Sequence, residues 1–109
     1  MTRVQPYLFK LIPPRPDFPF TMSDEERAVM LDHVGYWSGL AASGAALAFG
    51  PVADPTGGYG VGVVLAEDDA ATERLRDDDP AMRSERGFRT EILPMLRLVT
   101  PDREYGRTL

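Results

Sequence analysis

The sequence predicts an α+β domain of the ferredoxin-like βαββαβ type, an antiparallel sheet with two helices on one face. Three observations carry that prediction. Strand-like apolar runs alternate with two segments of helical spacing, in the order strand, helix, strand, strand, helix, strand. Glycines occupy one face of a central run, as a strand covered by a close neighbour requires. Pro94 interrupts the last run, which suits an edge strand or a bulge, and the usual strand order 4-1-3-2 places that strand at an edge.

The elements follow in order. From Val4 to Ile12, Tyr7, Phe9 and Leu11 share one face of a strand, and Leu8, Lys10 and Ile12 share the other. Residues 13–22 form a proline-rich connector whose prolines forbid a regular element. Phe18 and Phe20 are available there to pack down. Ser23 with Glu26 three residues later is a capping box, and Asp24 and Glu25 favour the positive end of a helix dipole. The helix that follows places Val29, Met30, Val34, Trp37, Leu40 and Ala41 on one stripe, with His33 inside it, and Gly44 ends it. Ala45 to Phe49 reads as a short strand closed by Gly50-Pro51. The turn-rich loop to Gly58 leads into a strand from Tyr59 to Leu65, with Gly60 and Gly62 on one face. A packed helix or a neighbouring chain is the expected occupant of that glycine face. A second helix spans about Asp69 to Asp78, with Ala71 and Leu75 inward and Pro80 stopping it. The last strand covers roughly Phe88 to Val99, and the polar tail, 101–109, frays.

The chain of 109 residues suits a single domain, 1–109. It has no cysteine, which removes disulfides, thiolate chemistry and Cys-ligated zinc. A net charge of −5 gives no electrostatic footprint for nucleic acid or an anionic membrane. No run approaches the roughly 20 apolar residues of a membrane span, and no leader pattern opens the chain. These features read as a cytoplasmic protein.

His33 is the sole histidine and can both take and give a proton near neutral pH. On spacing alone its first reading is a structural residue on an inward-facing stripe, and its second is a general acid/base. Asp79, with Asp77 and Asp78, closes the second helix, where carboxylates oppose the dipole. The plain reading is a solvated acidic helix end. If Asp79 reaches His33, it fixes the imidazole tautomer and stabilises the imidazolium. Tyr36 and Trp37 are read as core and rim residues, Gly50-Pro51 as a turn able to shape a pocket wall, and Arg83 with Arg86 and Arg89 as surface arginines able to attract an anion. With one histidine and no cysteine, no metal site is expected. The run Gly57 to Gly62 precedes no helix, so no phosphate loop and no nucleotide cofactor are expected.

Together these pieces resemble a known family. Asp32-His33-Val34-Gly35-Tyr36-Trp37-Ser38-Gly39-Leu40, then Gly44, Gly50-Pro51, the glycine-rich strand and Asp79-Pro80, are similar in order and spacing to the YciI-like (YCII-related) proteins of the dimeric α+β barrel group. The match runs from about Tyr7 to Leu98. The resemblance implies a homodimer whose sheets pack face to face and an active site built from His33 and Asp79. Tyr36, Trp37, Gly50, Pro51 and Arg83 are the expected substrate contacts. One branch of that family eliminates chloride from chlorinated hydroxyhydroquinones. The expected function is therefore a cofactor-independent lyase or isomerase acting on a small cyclic or aromatic molecule. The alternative is a non-catalytic dimeric module that binds a ligand or regulates. Trp37 departs from the leucine common in the family, and the proline connector is longer than in compact members, so it is expected to cover or reshape the pocket.

Overall fold

In a computed structural model, which describes residues 3–107, the chain runs β1 (Gln5–Ile12), α1 (Phe18–Thr21), α2 (Asp24–Ser43), β2 (Ala46–Val52), β3 (Tyr59–Ala66), α3 (Asp69–Asp78), α4 (Pro80–Arg83), β4 (Arg89–Pro94), β5 (Arg97–Val99) and β6 (Glu104–Gly106). Strands β1 to β4 form an antiparallel sheet in the order β2-β3-β1-β4. This α+β arrangement is consistent with the ferredoxin-like expectation.

Period-two alternation decides which sheet face is buried. Tyr7 and Phe9 of β1 are 2% and 3% exposed, and Val64 of β3 is fully buried. Trp37, Leu40, Ala71 and Leu75 from the two long helices pack against them, so both helices share that face. On the opposite face Leu8, Val61, Val63 and Leu65 are only half-buried, and Leu93 is exposed. Pairing Leu8 with Val63 and with Leu93 makes this face a continuous apolar strip across three strands.

Helix α2 begins where its sequence signals place it. Ser23 accepts from the Glu26 backbone, the Glu26 side chain accepts from the Ser23 backbone, and Gly44 ends the helix at φ 84°. The inward stripe is narrower than its spacing suggests. Trp37 is buried, but Val34 is 49% exposed and Ala41 is exposed.

Four local expectations are corrected. The connector contains a short helix, α1, begun by Pro19 in its first turn, a position that needs no backbone N–H. Within it Phe18 packs down on Phe88, while Phe20 is 91% exposed. Gly50 and Pro51 do not close β2. They pair with Val61 and Gly60 inside it, which an edge strand tolerates. The last run is not one strand: β4 ends at Pro94, and β5 turns away to pair with β6. The tail is tied down rather than frayed. The Arg107 guanidinium lies 4.4 Å from the Tyr7 ring centre and donates to the Pro6 and Met95 carbonyls and to the Gln5 side chain. Residues 108 and 109 of that tail lie outside the described residues.

Candidate functional site

The site grows from two helix ends and one strand face. Asp79 caps the C-terminus of α3, and its carboxylate accepts from the Ala81 backbone at 2.9 Å to start α4. The residue is therefore an N-cap, which explains locally why an aspartate stands there. The sequence placed it only at an unfavourable helix end. The residue is 4% exposed, and its side chain carries further hydrogen bonds. His33 Nδ1 lies 2.9 Å from both Oδ1 and Oδ2, and Trp37 Nε1 donates to Oδ2 at 2.9 Å.

A carboxylate offers only acceptors, so Nδ1 is the nitrogen that carries the proton in this arrangement. The neutral imidazole then presents a lone pair at Nε2, which no hydrogen bond among the described residues uses. His33 and Trp37 both reach Asp79 because residues four apart lie one above the other on a helix. That spacing was visible in the sequence. The indole N–H as a third donor to Asp79, beside His33 and the Ala81 backbone, is not legible in the sequence.

The Trp37 ring is held by the glycine face of β3. A Cβ at Gly62 would lie 2.6 Å from Trp37 Cη2, so only glycine admits the ring here. Phe9 meets the same ring edge-on at a centroid distance of 5.6 Å. A packed helix residue thus fills the glycine face at Gly62, as expected, while Gly60 opens on the cavity.

A cavity of about 240 Å³ opens beside this cluster. His33, Trp37 and Asp79 form one side, with Gly50, Pro51, Gly60 and Gly62 along the sheet. Phe18, Pro19, Met22, Met30 and Phe88 supply apolar walls that sequence reasoning did not assign, and Thr90 adds a hydroxyl-bearing side chain. The connector's prolines and phenylalanines were the one signal for that wall. Of the expected substrate-contact residues, Trp37, Gly50 and Pro51 line the cavity, whereas Tyr36 and Arg83 do not. The Tyr36 hydroxyl donates instead to the Leu75 carbonyl at 2.8 Å, joining α2 to α3. Burial, with the nearby Asp78 and Asp79 charges, pushes that phenol up to about 12. Arg83 is an exposed side chain 4.0 Å from Asp78. Among the described residues no group of three or more His, Asp or Glu side chains is placed to hold a metal ion, and no helix is long and apolar enough to cross a membrane.

The connector is held by one ion pair. Arg15 donates to both carboxylate oxygens of Glu26, at 2.8 and 2.7 Å, and to the Thr21 carbonyl and hydroxyl. The Arg15 hydrogen bonds, followed by that from the Ser23 backbone, lower the Glu26 carboxyl from 4.5 to about 2. A depressed folded value means that the pair's stabilisation is whole above pH 4.5 and is lost as pH falls towards 2. Acid titration followed by Trp37 emission is expected to show a transition in that window. Glu26→Gln is expected to remove it.

The structure is thus a small α+β domain in which a carboxylate-oriented histidine faces an apolar cavity. Comparison with family models places it further: the YCII-related domain matches residues 9–96, and the chain belongs to that family. A search of curated proteins finds no match.

Proposed function

We propose that the protein is a lyase or isomerase for a small cyclic or aromatic molecule, with His33 as general acid/base and Asp79 as the residue that orients it. The observation that carries the reading is Asp79 hydrogen-bonded to His33 Nδ1 at 2.9 Å beside the cavity. In this reading Nε2 removes a proton from an acidic C–H or O–H of the bound molecule. The electron pair then either expels a leaving group, with the imidazolium passing its proton to that group or to solvent, or moves the double bond, with the imidazolium returning the proton at the new position. Asp79 stabilises the imidazolium while it exists. This chemistry needs no metal or nucleotide.

The cavity size supports a ligand of about one ring. Engineered apolar cavities of about 150 Å³ accept benzene, and this one is about 240 Å³. Its walls favour an apolar body with one polar group directed at His33. The helix-free apolar sheet face supports a homodimer formed through that face, with two such cavities per assembly.

The test is a panel of substituted quinols, catechols and small lactones, scored for turnover by native protein and by His33→Gln. Loss of a positioned acid/base is expected to lower kcat by roughly 10²–10⁴-fold, with an unchanged melting curve. Turnover that survives the substitution overturns the reading. Binding without turnover by native protein would instead identify a ligand-binding module.

A further inference from the structure

We propose that the connector from Pro13 to Met22 selects ligands by size, with Phe18, Pro19 and Met22 as specificity residues and Arg15 as the positioning residue that fixes them. The inference rests on the cavity being the ligand site, as in the preceding reading. The strands that line the cavity are fixed by ladder hydrogen bonds. The connector has no place in the sheet, and four of its residues, Pro13, Pro14, Pro16 and Pro19, lack a backbone N–H. Its backbone bonds are local, from Phe18 to Arg15 and from Phe20 to Asp17.

Its position therefore depends on side chains. Arg15 binds Glu26 of α2 and both oxygens of Thr21, and its guanidinium lies 5.3 Å from the Phe18 ring centre. Phe18 meets Phe88 edge-on at 5.3 Å. Pro19 comes so close to the loop before β3 that a Cβ on Gly58 would lie 3.1 Å from its Cγ. Arg15 itself does not line the cavity, yet Phe18, Pro19 and Met22 of this wall follow it in the chain. An apolar wall held this way discriminates by steric fit, where an added methylene is worth roughly tenfold or more.

The experiment uses 4-methyl-, 4-ethyl- and 4-butylphenol as probes, with binding read from Trp37, the sole tryptophan, on the cavity wall. Native protein is expected to favour 4-methylphenol over 4-butylphenol by at least about tenfold. Met22→Ala is expected to bring the pair to near parity by enlarging the cavity. Arg15→Gln is expected to do the same although it removes no lining atom. Native protein that binds all three equally, or none, overturns the proposal. So does a native-like preference in both variants. If His33→Gln keeps turnover while Met22→Ala shifts the size preference, the catalytic reading fails and this one stands.

Discussion

Asp79→Asn is expected to lose stability and activity together, although the two side chains have the same shape. Oδ1 accepts from the Ala81 backbone, Oδ2 accepts from Trp37 Nε1, and His33 Nδ1 lies 2.9 Å from both. An amide must turn its NH2 towards one of those oxygen positions. Whichever it takes, two N–H donors then face each other in a buried site. An unsatisfied buried donor costs about 1–3 kcal/mol, so a fall of that order is expected in urea or thermal unfolding. If the NH2 faces His33, the imidazole must present its Nδ1 lone pair, which moves the proton to Nε2. That is the wrong tautomer for a base at the cavity. The expected loss in kcat is at least about 10²-fold, separable from unfolding by assay well below the melting temperature. Asp79→Asn with native stability and native kcat would show that the carboxylate's acceptors are not needed.

The second large effect concerns a residue with no side chain. Gly62→Ala inserts a methyl group into the Trp37 ring, with contacts too close for any relaxed structure. Overpacking of this kind typically costs about 1–3 kcal/mol. Moving the indole also breaks its bond to Asp79, so the substitution is expected to disturb the site as well as the core. Gly60 makes the contrast. A Cβ there meets only the Leu11 Cβ, at 3.5 Å, an ordinary contact, and it points to the cavity side of the sheet. Gly60→Ala is therefore expected to keep native stability while weakening ligand binding. Equal melting temperatures for the two variants would contradict this account.

The legible parts of the fold are those whose signal is local. The Ser23–Glu26 capping box, the alternation along β1 and the glycine face of β3 each depend on neighbours in sequence, and each stands where its pattern puts it. The misread parts depend on distant partners. Pro51 lies inside a strand because β2 is an edge, which the strand itself does not announce. The tail is ordered by Arg107 reaching the start of β1, a contact between opposite ends of the chain. At the site, His33 and Asp79 were identifiable as a candidate pair, and the structure brings them together. The connector's place over the pocket was legible from its length, but which of its side chains form the wall, and the indole bond to Asp79, were not, because both arise from how α2 and the connector meet the sheet. Tyr36 looked like a rim residue only until its hydroxyl found Leu75 on α3.

The central claim is that Asp79 holds His33 with its proton on Nδ1 and its lone pair free at Nε2. Since the chain has one histidine, a nitrogen-15 spectrum of the labelled imidazole reports on that residue alone. In its neutral form the native imidazole is expected to be a single tautomer, protonated at Nδ1, that Asp79→Asn no longer holds fixed. A ring protonated at Nε2 in native protein, or one exchanging between both tautomers as free imidazole does, would contradict it.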